Sequence, residues 1–471
     1  MSSILILAPV TEQNAGILNW GNPPLGPHRL ASFLRARNHT VVVYDCNIHP
    51  KEDYDKLIRQ PFDIVGISVL HDTLPLSLEK FIEIKKHQPP ETLLVAGGAE
   101  STLNYQDIFD NAPVDIIVTG EGEIPLFKLA EKYPMENIEG IIHRRHGLAI
   151  DNNLLWKYYK DIDFTLLNLR EYWKQNRIID PVRAPLENQV RLVTSSHCVK
   201  NCSFCSVTQI HKASCGKVIP PAYLSQEQIE VLLDRITKQL PETNVVYFVE
   251  DSILPTPQRL DSFCAALKKF HPPLRYRVQT ETDKIKGEET IKKLADAGVF
   301  HISFGVENCS PRIRRCMNKP QDEQKIEDII IWCNKNKIIP YYLIILFSPE
   351  STIEDLIINY KTLSRWLTDD KVMVSVEPFM MPYRGAPIFN QDFEMGYNFI
   401  KLSNGKILKH PYIIYPKDPA VKQLTFDLRD RLPLYIKKMQ EDEGHQHQSK
   451  DWTGKVIVKL LGNLLREGGY L

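Results

Sequence analysis

Two series of short apolar runs alternate with amphipathic stretches along this chain, and few architectures accept that rhythm. From residue 3 to about 145 the runs are SILILAP, TVVVYD, DIVGISV, TLLVAGG and VDIIVTG. Helix-patterned segments such as GPHRLASFLRARN and LPLSLEKFIEIKKHQ, apolar at three- and four-residue spacing, lie between them. Strands that are apolar on both faces need helices on both sides to cover them, which makes a doubly wound parallel sheet. Residues 1–145 therefore read as a Rossmann-like α/β domain. Asp45, Gly66, Gly97 with Gly98, and Gly120 with Glu121 fall at the carboxyl ends of its strands, where an open α/β sheet binds ligands. Glycine is also the default turn residue, so the pattern alone leaves a cofactor site and a set of plain turns both open.

Residues 146–186 lose the rhythm and read as an aromatic-rich connector. The second series, VRLVTSSH, NVVYFVED, LRYRVQTET, HISFGVEN, IIPYYLIILF and KVMVSVEPF, spans residues 187–400 with helical segments between its members. Six strands with crossover helices in about 200 residues suggest a partial (β/α)6 barrel. Residues 401–471 read as a helical extension: QLTFDLRDRLPLYIKKMQ and KVIVKLLGNLLREGG flank the polar link EDEGHQHQSKD. These helices are expected to cover the barrel mouth. His445 and His447 in the link read as solvated, since two imidazoles without further ligands make no metal site.

Lys plus Arg (58) balance Asp plus Glu (58), which argues against nucleic acid as a partner. No apolar run reaches the roughly 18 residues a membrane span needs, and MSSILILAPV reads as a strand rather than a leader. The expectation is a cytoplasmic monomer. The nine cysteines are odd in number and scattered, which argues against a disulfide framework. Taken singly, most are small buried hydrophobes.

The stretch HCVKNCSFCS differs, because Cys198, Cys202 and Cys205 lie within eight residues with C-x3-C-x2-C spacing, just after the first barrel strand. A closed zinc site takes four protein ligands, so zinc would require His197, His211 or Cys215 as a fourth. An iron–sulfur cubane that only carries electrons also takes four. Three thiolates leave one iron open for a substrate or cosubstrate.

With Phe204 before its third cysteine, this motif resembles that of the radical S-adenosylmethionine (SAM) superfamily. The resemblance implies a 4Fe-4S cluster on Cys198, Cys202 and Cys205 whose open iron chelates SAM, and reductive cleavage of SAM to a 5'-deoxyadenosyl radical. It further implies that Glu250 and Asp251, ending the second strand, contact the SAM amino group. Gly305, Glu307 and Asn308, in FGVENCSPRIRRCMNK, would lie near its ribose and carboxylate. On the third strand Arg277, Gln279 and Glu281 alternate onto one face as pocket liners, or as an inward salt bridge that stabilises the barrel. PYRGAPIF resembles the turn after the sixth strand, and its Tyr383 and Arg384 would face substrate. Cys309 or Cys316 as a catalytic thiol is a smaller possibility.

The amino-terminal half resembles the cobalamin-binding domain that precedes one branch of the superfamily. The matching pieces are NPPLGPHRLASFLRARNHTVVVYD, FDIVGISV, LLVAGGAES and VDIIVTGEGEIPL. Contacts would come from Pro24, Leu25 and Gly26, from Ser68 to Asp72, from Gly97 and Gly98 to Ser101, and from Gly120, Glu121 and Gly122. The D-x-H-x-x-G motif that ligates cobalt is absent. Asp45-Cys-Asn-Ile-His49-Pro stands in its place, with His49 as a displaced candidate. Together the two halves imply methylation of an unactivated carbon of a small molecule, with cobalamin as methyl carrier and a flavodoxin or ferredoxin as electron donor. Radical rearrangement, cyclisation or elimination, and a cluster-bearing electron-transfer or sensor protein, are the alternatives.

Overall fold

The computed structural model describes residues 1–9, 22–144, 159–179, 187–250, 252–254, 256–368, 372–443 and 450–471. Its first sheet contains β1 (Ser3–Ala8), β2 (Thr40–Asp45), β3 (Ile64–Ser68), β4 (Leu93–Gly97), β5 (Ile116–Val118) and β6 (Ile141–His143) in the order β2-β1-β3-β4-β5-β6. All pairs are parallel except β5 with β6. The central strand shows why a run of aliphatics is needed. Leu5 and Leu7 of β1 enter one hydrophobic core, and Ile4 and Ile6 enter the core on the opposite face. Each such side chain contributes roughly 1.5–3 kcal/mol on burial. The antiparallel β6 lies outside the expected pattern, because three residues are too few to show a period.

The second sheet is all parallel and runs in simple sequence, β7 (Gln189–Leu192), β8 (Val245–Phe248), β9 (Arg275–Thr280), β10 (Val299–Glu307), β11 (Ile339–Phe347) and β12 (Met373–Phe379). Val190, Val246, Val278, Ile302, Ile344 and Val374 enter the core beneath the surrounding helices. Strand alternation then turns Arg191, Tyr247, Arg277, Gln279, Ser303 and Tyr341 to the inside. The connector joins the two halves: the Trp173 indole donates to Gln189 O (2.9 Å), and the Tyr172 hydroxyl donates to the Asp45 carboxylate.

At the end of the 187–400 barrel region and into residues 401–471, expected to be helical, the fold departs from that expectation. A hairpin forms from β13 (Met395–Lys401) and β14 (Ile407–Ile414), and Gly405 at its turn takes a φ of 86°. Leu402 and Leu408 enter the core of the amino-terminal domain, and Ser403 N donates to Glu79 (2.8 Å), so the hairpin straps the two domains together. Helices Pro419–Glu443 and Lys450–Glu467 follow. The last helix packs against β12 and helix Ile353–Thr368, burying Leu461 and Leu465 in the barrel core and closing the side where the sheet would otherwise end in an open edge.

That packing is close enough to test. A Cβ on Gly454 would fall 2.8 Å from the carbonyl oxygen of Val374. Gly454→Ala is expected to lower stability by about 1–3 kcal/mol, the usual cost of overpacking, despite alanine's higher helix propensity. Urea unfolding reads this, and an unchanged midpoint would show that the helix is not seated on the strand.

Candidate functional site

The cysteine loop is braced from several directions. Glu250, at the end of β8, accepts from the backbone N–H and hydroxyl of both Thr194 and Ser195, the residues that lead into the loop. Its oxygens are thereby saturated, and burial pushes its carboxyl up. Thr208 donates to the carbonyls of Cys198 (3.1 Å) and Lys200 (2.7 Å). Ser203 N donates to Met317 O (2.9 Å), Ile388 N donates to Ser203 O (2.8 Å), and Asn318 Nδ2 donates to Asn201 O (2.8 Å). Phe204 packs toward the cluster of Ile313, Met317, Met380, Ala386 and Ile388. The cysteines are thus set by backbone contacts with three other segments of the barrel.

Beside the thiols lie further charged groups. Cys198 Sγ is 3.9 Å from Glu281 Oε1, and Lys200 Nζ reaches Asp283 at 2.8 Å. Cys198, Glu281, Ser252 and Arg259 line a cavity of about 450 Å³. On the other side Glu307 accepts from Lys319 Nζ at 2.6 Å, with both side chains nearly buried. Glu307 sits at a β10 bulge with φ 69°, and a Cβ on Gly305 would fall 2.4 Å from its Oε1, so glycine makes room for this pair.

The amino-terminal sheet presents a crevice over the ends of β1, β3, β4 and β5, of about 140 Å³. Gly26, Ser68, Gly97, Gly98, Gly120 and Gly122 are among the residues that line it, and Arg29 within it pairs with Glu121 (2.8 Å) and Glu123 (2.6 Å). Gly98 has φ 98°, and a Cβ there would meet Val69 O at 2.7 Å. This crevice abuts the cysteine loop through one helix pair, because Ala99–Leu103 at the end of β4 packs on Val207–Cys215, the helix after the loop. A second cavity of about 140 Å³ lies between Gly98, Gly120 and Glu121 on one side and Ile210, His211 and Ser214 on the other.

Residues 192–362 match the Radical SAM superfamily, and residues 22–130 match the B12 binding domain. The chain is a radical SAM protein with a B12-binding domain. Its cofactors are accordingly a 4Fe-4S cluster, SAM and cobalamin. An anaerobic magnesium-protoporphyrin IX monomethyl ester cyclase of Rubrivivax gelatinosus is 24% identical over 398 residues, 81% of this chain and 69% of that protein. The structure of TsrM, a radical SAM methyltransferase from Kitasatospora setae, superimposes with a TM-score of 0.68 at 14% identity, over 91% of this chain and 88% of that one. OxsB, a cobalamin-dependent SAM radical enzyme, gives 0.68 at 16% identity over 100% of this chain and 76% of that one. These two likenesses establish a shared fold.

The residues of this radical SAM protein fit a cubane better than zinc. Among the described residues no three His, Cys, Asp or Glu side chains close on one point as a single ion requires, whereas a cubane takes its thiolates on separate irons. His197 is engaged with Ile219 O (3.0 Å) and stacks on His211 at 3.8 Å, so neither is turned to the cysteines as a fourth ligand. The B12 crevice is cradled by glycines where side chains would intrude. His49 lies outside it. Its Nδ1 accepts from Asp45 N (2.9 Å), beyond β2 and away from the β1–β3 switch point, which removes it as a cobalt ligand candidate. Asp45 is likewise occupied by Tyr172. Pro24 precedes helix Leu25–Arg35, and Leu25 leans on the barrel core rather than the crevice.

The other sequence candidates fall in several places. Arg277 forms the inward salt bridge with Glu187 (2.5 Å), and Asn308 ties β10 to β11 by donating to Ile345 O (2.9 Å), so both are framework residues. Gln279 lies inside the barrel and accepts from the Tyr247 hydroxyl (3.4 Å). Tyr383 and Arg384 face the B12-binding domain: Arg384 pairs with Asp107, and Tyr383 meets the His71 ring edge-on at 5.2 Å. Tyr383 is partly exposed yet enclosed enough that desolvation raises its phenol. Cys309 is buried, with its thiol pushed up to about 12, and Cys316 is exposed. Asp251, His445 and His447 lie outside the described residues.

His71 falls within the Ser68 to Asp72 stretch and Lys319 within FGVENCSPRIRRCMNK, but their partners, and His410 altogether, escape a reading of the sequence alone. His71 and His410 come from different domains, and their rings meet at 4.5 Å, tilted by 33°. The hairpin carrying His410 does have a signal, Asn404-Gly405 between apolar runs. Burial, aided by neighbouring cations, holds His410 and His28 at about 4 rather than 6.5. Unfolded, each takes a proton near 6.5, so their neutral burial supports the fold fully above that pH, and the support drains away as pH falls toward about 4. A loss of about 3 kcal/mol from each is expected. Denaturant midpoints at pH 7.5 and 5 for wild type and His410→Phe should differ in pH slope, and equal slopes would exclude this role for His410.

Proposed function

We propose that this radical SAM protein transfers a methyl group, with cobalamin as its carrier, to an unactivated carbon of a small molecule. The observation that carries this reading is the shared helix pair, which sets the glycine crevice of one domain against the helix that follows the cysteine loop of the other. When bound, the cluster and SAM supply the deoxyadenosyl radical and cobalamin supplies the methyl group. Cys198, Cys202 and Cys205 hold the cluster, and Lys319 sets positive charge beside Cys202. Gln279, Glu281 and Tyr383 line the space for substrate, while the hairpin strap keeps the domains closed and excludes water from it. A small ferredoxin or flavodoxin supplies the electron.

The test is anaerobic reconstitution with iron, sulfide and hydroxocobalamin, followed by incubation with SAM and a reductant. Release of S-adenosylhomocysteine that depends on the added corrinoid supports methyl transfer. 5'-Deoxyadenosine without corrinoid-dependent S-adenosylhomocysteine would sink it and favour the second reading, radical ring formation, which the similarity to the cyclase motivates. Product mass then separates the two, one methylene gained against hydrogen lost.

A further inference from the structure

The inside of the barrel holds an arginine that no carboxylate of the described residues neutralises. Arg191 on β7 faces inward, since its neighbours Val190 and Leu192 both enter the outer core. Its Nε is buried and has no hydrogen-bond partner, and no carboxylate of the described residues pairs with it. The three fully buried arginines differ from it. Arg277, two strands away in the same layer, has Glu187 at 2.5 Å; Arg259 bonds Thr194 (2.9 Å) and Leu224 O (2.5 Å); Arg314 bonds Asn308 O (2.8 Å) and Cys309 O (3.0 Å). Arg191 as a whole is half-buried; a guanidinium cannot shed its proton, so one whose Nε is sealed from water without a counter-charge weakens the resting fold. That arrangement persists where a ligand brings the missing charge.

The surroundings suit such a ligand. The Arg191 guanidinium carbon lies 5.9 Å from the ring of Tyr247, its neighbour across the β7–β8 pair. The Tyr247 hydroxyl donates to Gln279 Oε1 at 3.4 Å, leaving the Gln279 amide nitrogen as a further donor. The chain runs from Arg191 through Thr194 and Ser195 into the cysteine loop, so this polar patch lies inside the barrel below the thiols. We infer that Arg191, with Tyr247 and Gln279, seats an anionic group of the substrate, a carboxylate or phosphate. The guanidinium fork matches the paired oxygens of either. The inference rests on the small-molecule reading above and deepens it, because an anchored anion would leave the substrate's apolar carbons presented upward to the radical.

Two other anions must be told apart from it, the carboxylate of SAM and the phosphodiester of cobalamin. Full-length reconstituted wild type, Arg191→Lys and Arg191→Met are compared by thermal unfolding, with and without added inorganic phosphate or acetate. Without added anion, Arg191→Met is expected to melt higher than wild type. Phosphate or acetate should raise the melting temperature of wild type and Arg191→Lys and leave Arg191→Met unmoved. SAM and hydroxocobalamin affinities, from spectral titration, should stay within about twofold in all three. A lower melting temperature for Arg191→Met, or an equal anion response in all proteins, overturns the inference. A roughly tenfold loss of SAM or corrinoid affinity overturns it as well, by giving the anion to that cofactor. Corrinoid-dependent S-adenosylhomocysteine release is measured on the same preparations. Its failure alone would count against methyl transfer, whereas failure of the anion response alone would count against the seat.

Discussion

Alanine at Cys198, Cys202 or Cys205 is expected to reduce 5'-deoxyadenosine formation to background and to strip iron from the reconstituted protein. A cubane held by three thiolates has none to spare, and the remaining cysteines cannot substitute. Cys215 and Cys264 are buried, and Cys309 and Cys333 are fully enclosed with their thiols pushed up to about 12. Loss of a direct ligand should exceed the 10–100-fold effects typical of groups that only orient ligands, so more than about a hundredfold is expected. The fold should survive, because the backbone of the loop is bonded to Met317 and Ile388 and to the Asn318 side chain, contacts that an alanine side chain leaves intact. Cys316→Ala, at an exposed position, serves as the control and should keep full iron content. If any of the three variants bound iron and cleaved SAM at the wild-type rate, that cysteine would not be a cluster ligand.

Lys319→Met should produce the largest loss of stability of any single change in the barrel. Its ammonium lies 2.6 Å from Glu307 Oε1 in a nearly closed space. Burial opposes its charge, but Glu307 and Cys202 outweigh that and lift the group above its ordinary range. Removing one partner strands the other charge, which typically costs about 3–5 kcal/mol. The double variant Lys319→Met, Glu307→Gln should recover part of this, since no full charge is left unpaired. Urea unfolding of the cycle measures the coupling, and additive losses would show that the two side chains act independently. The same lysine opposes the upward push of burial on the Cys202 thiol. The single variant should therefore also bind its cluster less tightly, which iron release to a chelator would read.

Much of this protein could be read from the order of its residues, and the reason is periodicity. The five amino-terminal runs and the six barrel runs all appear as strands, because a parallel sheet covered on both faces leaves an unbroken aliphatic record in the chain. The C-x3-C-x2-C loop stands out in the sequence for a similar reason, since its three thiols are local and their spacing is itself the motif. Features without local period were not. β6 is three residues long, and the Asn-Gly signal of the hairpin lay in a stretch otherwise read as the approach to helices. Glu250 and Asn308 looked like cofactor contacts by position. Only the packed structure shows their polar atoms spent on Thr194, Ser195, Ile345 and Ser310.

By itself, then, the sequence determined the two α/β units, their order and the cysteines that can hold a cluster, because each is written in neighbouring residues. Tertiary structure decided which charges are paired and which are left over. Arg277 and Arg191 both reach the inside of the barrel, yet Glu187, 90 positions from Arg277, meets only the first of them. It also decided how the domains meet, through His410 on one segment and His71 on another. Such pairings depend on distances across the fold, and a chain records the identity of its residues but not which distant ones will share a cavity.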